Sequence, residues 1–204
     1  MDNEVSFSII ERGGKTMIIY EIAGAEHTEE TCKIAIEKAM AMNTDIVASS
    51  TKGDSGIAIC KMAKELGFNG KIVIVTHSWG FKEPGQNEMS TENRKIIEGY
   101  GATVLSTTHL LSGAERAISG KFEGAYPVEM IAHTLRMFCQ GVKVIPEIAG
   151  MALDSGCIEY GKEIVVVAGT GSGLDTAAVI TPAHGNHIFE TTFNELLCMP
   201  RQQR

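Results

Sequence analysis

The sequence predicts an α/β fold in which helices flank a mostly parallel, right-handed sheet. Short apolar segments begin at Asp45, Lys71 and Ala102, and turn residues bound each of them, as is typical of buried strands. Segments with apolar residues at helical spacing lie between them, so strand and helix alternate as βαβ units. No proline- or serine-rich linker and no repeat divides the chain, so we expect one domain over residues 1–204.

Local signals place the elements of the first half of the chain. Gly13 and Gly14 suggest the turn of an opening strand pair. Thr28 is the expected N-cap of the first helix, because Glu29 and Glu30 would form an acidic first turn. The elements expected after this helix are a strand at 45–49, a helix ending near Gly67, a strand at 72–76, a helix at 91–100 and a strand at 102–106.

The second half contains one clear helix and one ambiguous segment. Pro127 suits a first helical turn, and Gly141 is expected to close that helix. Residues 143–156 remain open between strand and helix, because proline and glycine interrupt a pattern rich in β-branched and small residues. Strands at 163–168 and 176–181 are expected to pair. The apolar stripe of the clear helix is expected to face the core or a dimer interface and consists of Val128, Ile131, Leu135 and Phe138.

Composition and charge exclude several classes of function. Eighteen Lys plus Arg against 25 Asp plus Glu give a net charge of −7, which would repel nucleic acid and anionic membrane surfaces. The five cysteines are scattered and form no Cys-x-x-Cys pair, which fits reduced thiols. The acidic start lacks the features of a signal peptide, and no apolar run approaches the roughly 18 residues of a membrane span. We therefore expect a cytoplasmic protein with a small-molecule ligand.

Four loops are expected to meet at one edge of the sheet. In an open parallel sheet, the ligand crevice lies outside the carboxyl ends of the strands. Each loop that leaves such an end here is rich in hydroxyl groups, glycine or both. These loops span residues 49–56, 76–85, 106–113 and 169–175.

The first of these loops, SSTKGDSG, is the expected phosphate-binding site. It runs from a strand into a helix, where backbone N–H groups, hydroxyl groups, one lysine and the helix dipole can attract an oxyanion. Its spacing is not that of a P-loop, so transfer from a nucleoside triphosphate is not implied. The alternative is a simple strand-to-helix turn capped by serine and threonine. The candidate residues are Ser49, Ser50, Thr51, Lys52, Gly53, Asp54, Ser55 and Gly56.

The other loops offer further candidate contacts to a ligand. His77 and His109 are candidate acid–base groups, with a structural histidine as the alternative. Trp79 is expected either to cover a planar ligand or to pack as a lid against Phe81. The GTGSGLD loop matches neither a dinucleotide fingerprint nor a nucleophile elbow, and is either a second wall of the site or a tight hairpin. These loops add the candidates His77, Ser78, Trp79, Gly80, His109, Thr170, Gly171, Ser172, Gly173 and Asp175.

One histidine pair superficially suggests a metal site. His184 and His187 are three residues apart, a spacing that places both on one face only in a helix. Pro182 and Gly185 disfavour a helix there. No metal site is therefore expected.

Several strings of residues carry a family resemblance. Besides SSTKGDSG, they are LSGAERAIS at 111–119, DTAAVITPAHGNHIF at 175–189 and CMPR at 198–201. Together they resemble the carboxy-terminal alpha/beta domain of pyruvate kinase, and more closely the stand-alone microbial proteins that consist only of such a domain. SSTKGDSG is similar to the effector-phosphate loop of that domain. One departure is His27, where relatives are expected to carry asparagine.

The resemblance implies a doubly wound sheet and a cofactor. For the stand-alone group, it implies flavin mononucleotide (FMN) in the crevice, with the phosphate on residues 50–56 and the ring among the loops at His77, His109 and Thr170. It does not imply kinase activity, because no part of these 204 residues corresponds to the barrel domain that binds pyruvate, potassium and magnesium.

Two hypotheses from different classes of protein remain open. In the first, the chain binds a phosphorylated planar cofactor such as FMN, which would supply redox chemistry if the protein is an enzyme. In the second, it is a non-catalytic sensor of a phosphometabolite that signals through the interface of a homo-oligomer. A third hypothesis, acyl or phosphoryl chemistry by Ser172 with His77 or His109, has no motif in its favour.

Overall fold

A single mixed sheet forms the centre of the molecule. The computed structural model describes residues 7–12 and 15–202, so the predicted turn at Gly13 and Gly14 lies outside the described residues. The strands are β1 (Phe7–Arg12), β2 (Lys15–Ile22), β3 (Ile46–Ser49), β4 (Ile72–Thr76), β5 (Thr103–Ser106), β6 (Ile164–Ala168), β7 (Thr176–Thr181) and β8 (Thr192–Gln202). They form an eight-stranded sheet in the order β1-β2-β8-β7-β6-β3-β4-β5.

The strand directions confirm the predicted parallel core and add antiparallel pairs beside it. Strands β6, β3, β4 and β5 run parallel to one another, and β2 and β8 form a second parallel pair. The pairs β1–β2, β6–β7 and β7–β8 are antiparallel. The loop 169–175 joins β6 to β7 and is too short for the crossover that a parallel pair needs. The predicted pairing of 163–168 with 176–181 is therefore confirmed as a hairpin.

Helices cover both faces of the sheet. They are α1 (Thr28–Met42), α2 (Asp54–Leu66), α3 (Thr91–Gly99), α4 (Gly113–Phe122), α5 (Pro127–Arg136) and α6 (Gln140–Asp154), with short 3-10 segments at Ala25–His27 and Gly185–Glu190. Between residues 45 and 106, the predicted elements are confirmed, with ends that differ by at most one residue. Within the described ranges, no helix combines the length and apolar character needed to cross a bilayer.

Two hydrophobic clusters pack the helices onto the sheet. Ile46 and Ala48 of β3 pack with α1 and α2 on one face, whereas Val47 packs with α6 on the other. This alternation follows from the period of two along a strand. Both faces of the parallel core are therefore buried, which explains its continuous apolar segments.

Helix α6 settles the segment that the sequence left open. Twelve of its 15 residues are buried, and it packs against β3, β4, β6 and β7. Pro146 lies inside this helix, where it removes one backbone donor. Burial of the apolar helix against four strands outweighs that local cost, a balance that periodicity alone does not reveal.

Two predicted helix ends are wrong. The N-cap of α1 is His27 and not Thr28. Thr28 is the first helical residue, and its hydroxyl donates to the Ala25 carbonyl at 2.7 Å and accepts from the Leu174 amide at 3.0 Å. A long-range contact therefore uses the hydroxyl that the sequence pattern assigned to local capping.

The helix that starts at Pro127 ends at Arg136, before the predicted closing glycine. Gly141 instead lies in the first turn of α6, where a Cβ would overlap the buried side chain of Thr176. Phe138, predicted on the apolar stripe, follows the helix and is 61% exposed. Gly141 thus permits close approach of α6 to β7 and does not act as a stop signal.

We expect Gly141→Ala to lower the free energy of unfolding by about 1–3 kcal/mol, because the added Cβ overpacks the contact with Thr176. The matched control is Gly120→Ala in α4, where the Cβ meets nothing within 4 Å. That change should raise stability by about 0.5–1 kcal/mol. Urea unfolding of both variants measures this difference, and a fully stable Gly141→Ala protein would contradict the described packing.

Candidate functional site

The four predicted loops surround one cavity at the carboxyl edge of the parallel strands. The cavity has a volume of about 1290 Å³, enough for a nucleotide-sized ligand. Every one of the four loops contributes residues to its wall. The predicted convergence is therefore confirmed, and it results from the parallel pairing of β3 with β4 and β6 and of β4 with β5.

The loop between β3 and α2 presents unused backbone donors. The amides of residues 52–55 have no acceptor among the described residues. Lys52, Asp54 and Ser55 line the cavity at this point. Helix α2 begins at Asp54, so its positive dipole end lies at the same place. These features together can hold an anion, as the sequence predicts.

Two glycines of this loop have structural roles. Gly53 is the N-cap of α2 with φ 114°, and its left-handed backbone conformation favours glycine. A Cβ on Gly56 would lie 2.9 Å from the Ile97 side chain and 3.0 Å from that of Ile74. The Gly56 amide already donates to Ser50 Oγ at 3.0 Å. Gly56 is therefore a packing residue whose amide is already engaged within the loop, and its part in a phosphate cradle stays a prediction.

His77 is held in a defined orientation at the end of β4. Its Nδ1 lies 2.6 Å from Glu88 Oε2, and its Nε2 lies 3.4 Å from Thr51 Oγ1. Asn87 donates to the His77 carbonyl at 2.8 Å, which fixes the segment carrying Glu88 against the strand end. His77 thus connects the β3–α2 loop with the second loop of the cavity.

An aromatic cluster continues the wall from His77. The ring of Phe81 lies 4.0 Å from that of His77 and 4.9 Å from that of His109, measured between centroids. The Arg116 guanidinium lies 5.1 Å from the Phe81 centroid, a cation–π distance. Trp79 is 64% exposed and is absent from the cavity wall. Phe81 is therefore the aromatic residue of this loop that borders the cavity.

His109 is partly buried, and its protonation is disfavoured. Burial lowers the pKa of its imidazole, and the nearby Glu147 carboxylate partly opposes that shift. His109 Nε2 accepts a hydrogen bond from the Ser78 amide at 3.3 Å. Gly80 has φ 76° and donates to the Gln86 carbonyl at 2.8 Å. Ser78 and Gly80 thus shape this loop through their backbones.

The 169–175 loop is both a tight hairpin and part of the wall. Asp175 is fully buried and accepts hydrogen bonds from the Thr170 amide at 3.2 Å and the Thr176 hydroxyl at 2.8 Å. Burial raises the pKa of the Asp175 carboxyl, and these donors oppose the shift. Asp175 and Thr170 stabilise the hairpin through these hydrogen bonds and do not line the cavity. The residues of this loop that line the cavity are Gly169, Gly171, Ser172 and Gly173.

Residues of α4, α5 and α6 form another wall of the cavity, and this wall was not predicted from the sequence. Lys143 and Glu147 form a buried ion pair on α6, and the Leu111 amide donates to Glu147 at 3.0 Å. Their spacing of four residues would have suggested this pair if the segment had been recognised as helical. The other charged or titratable residues of this wall are Arg116, Glu129, His133 and Arg136.

The remaining histidines have local partners. His184 Nδ1 lies 2.7 Å from Asp154, and His187 Nδ1 lies 3.0 Å from Glu190. Among the residues that the structure describes, no three His, Cys, Asp or Glu form a group able to hold a metal. His27 is buried, stacks on Tyr20 with ring centroids 4.0 Å apart and bonds to the Ile22 carbonyl. His27, where asparagine was expected, is therefore a buried packing residue at the start of α1.

Comparisons with known proteins identify a family. The sequence profile of "Pyruvate kinase, alpha/beta domain" matches residues 29–180. Among solved structures, O-acetylserine-dependent cystathionine beta-synthase from Helicobacter pylori shows 17% identity, a TM-score of 0.29, and coverage of 65% of this chain and 41% of that one. A hydrogen sulfide-producing enzyme from Fusobacterium nucleatum shows 15% identity, a TM-score of 0.30, and coverage of 78% and 56%. The chain thus spans about half the length of these two proteins.

We expect the pKa of His109 to lie below the ordinary 6.5 and the folded protein to lose stability in acid on that account. As the pH falls, the unfolded chain binds a proton at His109 before the folded protein does. The contribution of the neutral His109 to the free energy of unfolding is therefore complete above about pH 6.5 and is lost as the pH falls through the folded pKa. Imidazole NMR titration measures the pKa directly. In unfolding experiments, His109→Gln should flatten the decline in stability below that pH, and an identical decline in both proteins would contradict this expectation.

Proposed function

The chain belongs to the pyruvate kinase alpha/beta domain family, and from this premise we propose that its cavity binds a phosphorylated planar cofactor, most simply FMN. The observation that carries the proposal is the run of amides at 52–55 without an acceptor, next to an aromatic cluster in the same cavity. A phosphate needs the first feature, and a flat ring needs the second.

The phosphate would bind to the backbone of the β3–α2 loop. In a protein with net charge −7, a dianion needs strong local donors. Lys52 and Asp54 carry opposite charges on this part of the wall, so their long-range effects largely cancel. The amides at 52–55 and the dipole of α2 therefore supply most of the attraction. Thr51 adds a hydroxyl at the same turn.

The ring system would lie against Phe81, His77 and His109. Offset aromatic contacts of this kind contribute about 0.5–1.5 kcal/mol beyond burial. Thr51 Oγ1 is 3.4 Å from His77 Nε2, so the loop for the phosphate and the surface for the ring are adjacent. A bound flavin would supply redox chemistry, while the residues of this chain orient it and limit water access.

We expect FMN to bind at least about tenfold more tightly than riboflavin, because one charge-assisted hydrogen bond contributes about 1.5–3 kcal/mol. Lys52→Ala should weaken FMN binding only about two- to fivefold, as for a screened surface charge, and should flatten its salt dependence. Calorimetry at low and high salt measures both effects. Equal affinities for FMN and riboflavin would contradict the placement of the phosphate. Binding of many sugar phosphates without FMN would favour the non-catalytic sensor.

We expect Phe81→Ala to weaken FMN binding by about 0.5–1.5 kcal/mol, the contribution of an aromatic pair. Trp79→Ala is the matched control, because Trp79 lies on the same loop, is 64% exposed and does not line the cavity. Its affinity for FMN should equal that of the wild type. The opposite order of effects in a fluorescence titration would assign the ring contact to Trp79.

A further inference from the structure

Three side chains at the carboxyl ends of β3 and β4 form a line that the binding of a cofactor does not explain. Glu88 Oε2 lies 2.6 Å from His77 Nδ1, and His77 Nε2 lies 3.4 Å from Thr51 Oγ1. Carboxylate, imidazole and hydroxyl thus follow one another in the order of a hydrolase triad. We propose that Thr51, His77 and Glu88 form an acyl-transfer site that hydrolyses small carboxylic esters.

The contact with Glu88 sets the state of the histidine. When Nδ1–H donates to the Glu88 carboxylate, Nε2 is left with a lone pair and accepts from the Thr51 hydroxyl. A distance of 3.4 Å is long for such a bond, yet nucleophile–base contacts are commonly looser before a substrate binds. His77 is therefore oriented as a base toward Thr51.

The loop around Thr51 has the setting that a nucleophile needs. Thr51 follows β3 and precedes α2, the strand–turn–helix position of the nucleophile in many hydrolases. The amide of Lys52, the next residue, has no acceptor among the described residues, and neither has that of Gly53. In such sites the amide after the nucleophile stabilises the oxyanion. Nucleophile and oxyanion donors thus occur within one turn, and the base lies beside them at the end of β4.

Glu88 is held in place by its neighbours. Asn87 donates to the His77 carbonyl at 2.8 Å, and Asn87 Oδ1 accepts from the Met89 amide at 2.9 Å and from the Thr76 hydroxyl at 3.3 Å. The segment that carries the carboxylate is therefore tied to the end of β4. Glu88 is a positioning residue, whereas Thr51 and His77 would touch the substrate.

The reaction balances with water as the only co-reactant. Thr51 Oγ attacks the ester carbonyl carbon while its proton passes to His77 Nε2. The oxyanion forms at the amides of Lys52 and Gly53, the C–O bond to the alcohol breaks, and His77 returns the proton to the departing alcohol. Water, deprotonated by His77 Nε2, then attacks the carbonyl carbon of the acyl–threonine ester, the C–O bond to Thr51 breaks, and His77 returns the proton to the Thr51 hydroxyl oxygen. The products are one carboxylic acid, one alcohol and the free enzyme.

The site also indicates which esters fit. The stacked rings of Phe81 and His109 form an aromatic wall beside His77, and the Arg116 guanidinium lies 5.1 Å from the Phe81 centroid. A small aryl or alkyl ester can lie against these rings. The amides that would hold the oxyanion are the same ones that would hold the FMN phosphate. Inorganic phosphate should therefore slow acylation competitively if both proposals are correct.

The test is covalent labelling of the whole protein with a fluorophosphonate probe, together with hydrolysis of p-nitrophenyl butyrate. We expect the label on Thr51, located by peptide mass spectrometry. Thr51→Val should abolish labelling, and Thr51→Ser should retain it. His77→Gln should reduce the acylation rate about 100-fold or more. The matched control is Thr91→Val, an exposed threonine at the start of α3, which should label like the wild type.

A separate set of variants and measurements tests the role of Glu88. Glu88→Gln should slow labelling and shift the His77 ring toward the tautomer protonated on Nε2, which ¹⁵N NMR detects, while Glu88→Asp should partly restore the rate. Circular dichroism of each variant excludes misfolding as the cause. Labelling that persists in Thr51→Val, or lies on another residue, would overturn the proposal. This outcome is independent of FMN binding, which is measured separately by calorimetry.

Discussion

Parallel pairing in register of β3 with β4 and β6, and of β4 with β5, is the constraint on which the candidate site depends. Ser49 pairs with Val75, and Thr76 pairs with Ser106, so the carboxyl ends of these strands stop at nearly the same height. The loops that follow must then leave from one edge. A slip of one residue in any pair would exchange side chains between the two packed layers, so packing against helices on both faces keeps this register.

At that edge, one loop presents backbone amides to the cavity and the next loop presents side chains. The β3–α2 loop offers amides, which stay in place because Gly53 has a left-handed conformation and Gly56 packs against Ile74 and Ile97. The β4 loop offers side chains, and Glu88 and Asn87 hold them. A turn whose amides have no acceptor among the described residues and an oriented histidine thus lie side by side, supported by different elements. That separation places backbone donors and an imidazole together in a single cavity.

Helix α6 closes the cavity and contributes its most buried charges. Lys143 and Glu147 are both nearly inaccessible, and a buried ion pair needs further hydrogen bonds to offset desolvation. The Leu111 amide supplies one of these bonds, which ties the loop that carries His109 to α6. The environment of His109 therefore depends on a pair of residues more than thirty positions away along the chain.

The sequence by itself determined the described strands other than β8, the helices other than α4 and α6, and the meeting of four loops, because these follow from local periodicity and from the geometry of parallel sheets. The β3–α2 loop could likewise be recognised from its hydroxyls and glycines. Tertiary structure alone decided that α6 is a helix, that Gly141 and Gly56 serve packing, and that Phe81 borders the cavity instead of Trp79. These features depend on contacts between residues distant in the chain, whose energies outweigh local preferences and leave no periodic signal.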